Sequence, residues 1–339
     1  MLTMKEVLVK KLGVKIPAAG FGCSALTGTD RGTAVRVLEA AFDAGVRHFD
    51  IARYYGFGQA EGILGNFVKR YRSQVTITTK FGITPPERSP ILGLAIDIGR
   101  RTLRLFPALR PLMQRKSQAL IKIERFSPEK ARSSLETSLR ELKTEYVDIY
   151  LLHDYAAYDE PVDEILAFLE DTAKAGKIRC FGIGTSFEDA LRSVRQQPQL
   201  CDVIQFQNSV LTQTTERLPV SSTDRLVITH GSLGEGYRSV YSFLKMRRNV
   251  AKVWSFELGV DLLNQSVLSG LMLGYAAYAN PNGLVLFSSR DPIRVKSNAK
   301  SLVETVMSSG QIVMFARLIK GASLTMATES AGAEGTQAT

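Results

Sequence analysis

Eight short apolar runs, at residues 18–25, 47–52, 75–81, 146–153, 177–184, 202–207, 225–230 and 283–288, restrict the fold more than any other feature. Most are separated by stretches with helical spacing. Strands alternating with helices pair in parallel through right-handed crossovers, and eight of them match a closed barrel. The competing arrangement is an open, doubly wound sheet. It requires a Gly-x-Gly-x-x-Gly turn after the first strand, but Gly20-Phe-Gly22 and Gly182-Ile-Gly184 each stop at two glycines. The expectation is an α/β chain folded as a (β/α)8 TIM barrel. A small β-hairpin over residues 6–16 precedes it, and a long insertion, 83–126, follows its third strand. Residues 1–325 read as one barrel domain, and 326–339, rich in Ala, Gly, Thr and Gln, as a structureless tail.

Local signals support this parse. Val35, Val37, Leu38, Ala41 and Phe42 fall on helical spacing between the first two strands. Ser127-Pro-Glu opens a helix with an N-cap, a first-turn proline and a first-turn acid. Gly176 closes the helix that begins at Pro161. The segment 266–279 is too short to span a bilayer and reads as a core helix. A further helix is expected over 289–306.

Composition narrows the function. The formal net charge of +10 is concentrated locally. Arg100, Arg101, Arg104, Arg110, Arg115, Lys116, Lys122 and Arg125 face a single acid, Glu124, over that stretch. Leu92, Leu94, Ile96, Ile98, Leu103 and Phe106 are interspersed around these cations. This suits an amphipathic lid over a pocket, a membrane-surface contact or a subunit interface. No aromatic-basic interleaving or recognised nucleic-acid module accompanies it. Cys23, Cys180 and Cys201 are far apart, in apolar runs, without metal-ligand spacing; they suit a reducing compartment such as the cytoplasm. No metal, nucleic-acid partner or stable membrane insertion is expected, and the sequence leaves the oligomeric state open.

The carboxyl ends of parallel barrel strands all open at one mouth, where active sites are built. The second strand ends in Asp50, with Tyr55 five residues on and Gly56 and Gly58 turning the chain behind it. The third ends in Lys80 and the fourth in His153. An acid, a phenol, an amine and an imidazole on one rim make coherent chemistry. A phenol has a pKa of about 10 and donates poorly near neutrality; an adjacent ammonium favours the phenolate. Asp50 can balance that ammonium, and His153 can orient a carbonyl oxygen. Such a set protonates an oxygen on which negative charge develops. A barrel aldolase with Lys80 as Schiff base is a competing reading of the same lysine.

Phe49-Asp-Ile-Ala-Arg-Tyr-Tyr-Gly, Thr78-Thr-Lys-Phe and Val147-Asp-Ile-Tyr-Leu-Leu-His resemble, in order, signatures of the aldo-keto reductase superfamily. Gly176-Lys-Ile-Arg and Phe181-Gly-Ile-Gly continue the resemblance, which covers roughly residues 6–305. It implies Asp50, Tyr55, Lys80 and His153 as catalytic residues. It also implies NADPH/NADP+ held across the barrel mouth without a Rossmann domain, and a small-molecule aldehyde or ketone as substrate. Gln205 resembles the glutamine that holds the nicotinamide carboxamide. Ser288, Arg294 and Asn298 keep the spacing of residues that hold the adenosine phosphate and adenine. Three departures stand out. The family's Ser-Asn pair is Gly184-Thr185 here, leaving Thr185 for the carboxamide. The aromatic residue that stacks on nicotinamide is His230. A common lysine beside Ser288 is Phe287. The reading from a different class is a catalytically weak NADP(H)-binding regulatory subunit on the same barrel.

Overall fold

A computed structural model describes residues 5–56, 58–84, 122–123, 126–156, 162–219, 224–303 and 307–335, with side chains as far as residue 322. The chain opens with an antiparallel hairpin, β1 (Glu6–Val9) on β2 (Val14–Pro17). Gly13, at φ 63°, supplies the left-handed turn residue between them. Val7, Val9, Leu12 and Ile16 from this hairpin pack with Ile149, Leu151, Val203, Ile228 and Leu286. These partners point into the barrel, so the hairpin forms an apolar plug in its amino-terminal end.

Eight parallel strands close in sequence order: β3 (Ala19–Gly22), β4 (His48–Asp50), β5 (Thr76–Phe81), β8 (Val147–His153), β9 (Ile178–Gly184), β10 (Val203–Gln207), β11 (Leu226–His230) and β12 (Leu284–Phe287). Closure removes the doubly wound alternative. The period-2 alternation sends Phe21, Phe49, Ile77, Tyr150, Leu152, Phe181 and Phe206 outward. There they share one core with Ala41, Leu64, Leu135, Leu169 and Phe187 of the surrounding helices. The expected cap at Ser127 is present, its hydroxyl accepting from Lys130 N–H at 3.4 Å. Gly182 permits the closest strand approach, since a Cβ there would lie 1.9 Å from the Val203 carbonyl oxygen.

Inside, composition changes along the barrel axis. Above the apolar plug, His48 Nδ1 lies 3.0 Å from Thr76 Oγ1 and its Nε2 lies 3.2 Å from Thr78 Oγ1. Asp50 and Lys80 follow at the carboxyl end. A polar, fully buried layer therefore supports the mouth.

The expected insertion leaves and returns through a short antiparallel ribbon, β6 (Ile83–Thr84) on β7 (Lys122–Ile123). The proposed lid between them lies outside the described residues. Three helices, Glu235–Met246, Arg248–Leu258 and Gln265–Ala279, intervene between β11 and β12. They and the last helix, Ser309–Gly335, form a second core around Phe243, Leu244, Leu271, Tyr275 and Phe315. The segment from 326, expected to be structureless, is helical backbone through Gly335. Its alanine content suits a helix even with little to bury. Among the described residues no helix is long and apolar enough to cross a membrane.

Candidate active site

The mouth of the barrel holds a cavity of about 570 Å³ whose wall includes Asp50, Tyr55, Lys80, His153, Thr185, Gln205, His230 and Ser288. Eight of the ten residues singled out in the sequence thus meet in one place. The other two lie on the helix that follows β12, Pro292–Val303. Arg294 is largely exposed, its Nε 3.7 Å from Asp291. Asn298 is buried, with 7% of its surface accessible.

Asp50 is the centre of the hydrogen-bonding. Lys80 Nζ donates to its Oδ1 at 2.6 Å and to the Ile51 carbonyl at 3.0 Å. Gln205 Nε2 donates to Asp50 Oδ2 at 2.9 Å. A carboxylate only accepts, so this bond fixes the orientation of the Gln205 amide. Its Oε1 is left buried and without a partner among the described residues. Lys80 Nζ stands 5.6 Å from the centroid of the Tyr55 ring.

The electrostatics at Tyr55 run opposite to the sequence expectation. Desolvation raises its pKa well above the usual phenol value, and Asp50 adds to the rise. Lys80 is directed to Asp50 and the Ile51 carbonyl, so its charge is balanced before it reaches the phenol. His153 is pushed down to about 3, first by desolvation and then by Lys80 and His230. Desolvation also lowers His230. Both imidazoles are therefore neutral near pH 7.

The loop carrying Tyr55 is held from below. Glu61, fully buried at the start of the helix Ala60–Tyr71, accepts from Arg53 Nη1 at 2.9 Å and from Thr79 Oγ1 at 2.8 Å. Gly56, at φ 58°, sits where a Cβ would run into Thr27. Here the glycine answers both a backbone and a packing requirement.

Several cavity-wall residues escaped sequence reasoning. Tyr54 stands between Tyr55 and His153, with ring centroids 4.8 Å and 5.3 Å away. Asp154, Ser24 and Gln207 also line the cavity, as does the turn Gly231-Ser-Leu-Gly234. The readable signal for the turn was a glycine pair between a strand and a helix. Gly234 is the N-cap of the helix Glu235–Met246, whose free N–H groups suit a phosphate. Ser232 Oγ, in the same turn, is buried without a partner among the described residues. An unpaired amide acceptor near Asp50 and an unpaired hydroxyl at a helix start, on one cavity wall, fit a dinucleotide with a carboxamide and phosphates.

Comparison with known proteins agrees with this architecture. The family model described as Aldo/keto reductase family matches residues 18–239, and the chain belongs to that family. It is 27% identical over 228 residues to the NADH-specific methylglyoxal reductase of Escherichia coli (strain K12), a match covering 66% of this chain and 63% of that protein. It is 30% identical over 245 residues to the D-threo-aldose 1-dehydrogenase of Pseudomonas sp, covering 68% of this chain and 70% of the relative. Among solved structures, an aldo-keto reductase from Klebsiella pneumoniae in complex with NADPH superposes with a TM-score of 0.65 at 20% identity, covering 94% of this chain and 96% of that one. That likeness is one of fold.

Proposed function

We propose that this protein interconverts a carbonyl and an alcohol with NADPH/NADP+, Tyr55 acting as general acid in the reducing direction. The observation that carries the reading is the convergence of Asp50, Tyr55, Lys80 and His153 on the wall that also holds the unpaired Gln205 Oε1. When bound, the dihydronicotinamide supplies the hydride. Gln205 and Thr185 hold its carboxamide, and His230 offers a flat neutral face. Ser288, Arg294 and Asn298 hold the adenosine phosphate end. The exposed Arg294 guanidinium suits a 2′-phosphate through charge-assisted hydrogen bonds.

The chain's own residues act on the substrate oxygen. Tyr55, with its raised pKa, is a protonated phenol at neutral pH. It hands its proton over as negative charge develops on that oxygen. Lys80, held in place by Asp50 and the Ile51 carbonyl, offers only the part of its charge that Asp50 leaves unbalanced to the phenolate as it forms. His153 is neutral and orients the oxygen by hydrogen bonding rather than by proton exchange. The three buried free cysteines suit a reducing compartment such as the cytoplasm.

The test is aldehyde-dependent oxidation of NADPH, run beside fluorescence titrations with NADPH and NADH. Tyr55→Phe is expected to lose about 10²–10⁴-fold in kcat/KM while still quenching on NADPH addition. Cofactor binding by the wild type with no turnover across an aldehyde panel would instead indicate a regulatory subunit. Stronger binding of NADH than of NADPH would remove the role given to Arg294.

A further inference from the structure

Among the described residues lining the cavity, Asp154 carries the one charge that neither the fold nor the Asp50–Lys80 pair uses. It follows His153 directly, at the end of β8. Its backbone is left-handed, at φ 54°. L-residues adopt this region at a cost, and Asp and Asn adopt it more readily than most. The conformation is pinned by the Asp154 N–H, which donates to the Gly184 carbonyl at 2.7 Å. The backbone at the rim is thus fixed where this side chain leaves it, and strain of this kind gathers at functional sites.

Desolvation and then the charge of Asp189 hold the Asp154 pKa above its usual value, and Asp189 is itself occupied. Arg192 Nη1 is on Asp189 at 2.6 Å, and the Ser186 hydroxyl donates to Asp189 at 2.7 Å. Lys80, the lone Lys or Arg among the described lining residues, is held by Asp50 and 3% exposed. Among the described residues the Asp154 carboxylate has neither an ion pair nor a hydrogen bond. Desolvation is the main cause of the raised pKa of Tyr54 and Tyr55, and the charge of Asp154 adds to both. The hydroxyl-bearing side chains of Ser24 and Tyr54 are among those that share the wall.

We propose that Asp154 determines the substrate class of the site. It accepts a hydrogen bond from a hydroxyl next to the carbonyl of a neutral, hydroxylated substrate, and it turns carboxylate-bearing carbonyl compounds away. This rests on the reading of the site as a carbonyl reductase in which His153 orients the carbonyl oxygen. Asp154 lines the same cavity as His153, so a substrate whose carbonyl oxygen is held by His153 lies in the space that Asp154 borders. A carboxylate accepting from a hydroxyl makes a short, charge-assisted bond. An analogue without the hydroxyl leaves the acceptor unmatched, and sites built for a hydroxyl discriminate strongly on that ground. A substrate carboxylate would meet the like charge of Asp154 on the same wall.

The test measures kcat/KM for glyceraldehyde, propanal and glyoxylate, with NADPH and with NADH, in the wild type and two variants. Asp154→Asn and Asp154→Gly both suit a left-handed backbone. The wild type is expected to prefer glyceraldehyde to propanal, and to glyoxylate by at least about tenfold. In both variants the glyceraldehyde-to-glyoxylate ratio should fall by about tenfold or more, on the scale of a lost charged hydrogen bond. Wild-type preference for glyoxylate overturns the proposal without recourse to a variant. Ratios within about twofold of wild type in active variants overturn it while leaving carbonyl reduction standing. Failure of the wild type to oxidise either cofactor with any of the three aldehydes overturns both readings.

Discussion

His48 shows how a single side chain can tie the site to the stability of the fold. It is fully buried between two threonine hydroxyls beneath Asp50 and Lys80. Desolvation pushes its pKa from 6.5 down to about 4, outweighing the attraction of Asp50 and Asp148. Below pH 6.5 the unfolded chain takes up a proton that the folded chain refuses until about pH 4. The unfolded state therefore binds more protons in this window, and stability falls as the pH drops through it. The contribution is on the order of 3 kcal/mol. His153, pushed down to about 3, adds in the same direction. Urea unfolding between pH 6.5 and 4 is expected to show a steep loss in the wild type and a shallower one in His48→Asn. Asn can hydrogen-bond the threonines but cannot titrate. Equal slopes would mean that His48 is charged in the folded protein.

Between elements, the decisive contact is the one holding the Tyr55 loop to the helix behind it. Arg53 and Glu61 retain 15% and 0% side-chain exposure, so their pairing is made largely out of water. Replacing one partner of such a pair leaves an uncompensated buried charge, at a cost of about 3–5 kcal/mol. Arg53→Met should lower the unfolding free energy by that order, measured by denaturant titration, and should reduce turnover because the Tyr55 loop loses its anchor. Adding Glu61→Gln removes the stranded charge and should restore part of the stability. A double variant no more stable than Arg53→Met would place the loss elsewhere. Much of this scale was legible in the sequence. β-branched residues marked 76–79 as a strand, and strand ends carried Asp50, Lys80 and His153 to one rim. The charge balance at Tyr55 was not, because sequence spacing does not show that Lys80 is shared between Asp50 and the Ile51 carbonyl. Nor was Asp154 legible as a cavity residue, since its orientation depends on a hydrogen bond across to β9.

At the scale of the whole molecule, the chain joins two cores of different legibility. The barrel core follows from eight runs of period-2 or continuous apolar character. The helical core between β11 and β12 was read only at 266–279. The helices Glu235–Met246 and Arg248–Leu258 meet at Arg247 with neither glycine nor proline to mark the joint. The last helix was obscured because its buried face belongs to a cluster assembled from distant segments. That helix buries Ile312, Phe315 and Ile319 against this cluster. It is also tied by polar contacts, with Gln311 Nε2 donating to the Leu258 carbonyl at 2.7 Å and Gln213 Nε2 to the Ala316 carbonyl at 3.1 Å. Gln213 lies on the loop leaving β10, the strand that carries Gln205. Packing at the carboxyl-terminal helix thus reaches the cavity wall through one loop, and through the helix that starts at Gly234. Phe315→Ala removes a fully buried ring and should cost about 3–5 kcal/mol. Because the helical core shares few residues with the barrel interior, the loss should appear first there. Hydrogen exchange is expected to accelerate across residues 235–279 while β5, β8 and β9 keep their protection, with weaker NADPH binding as the Gly234 helix loosens. Uniform acceleration over barrel and helices would instead make the two cores one cooperative unit.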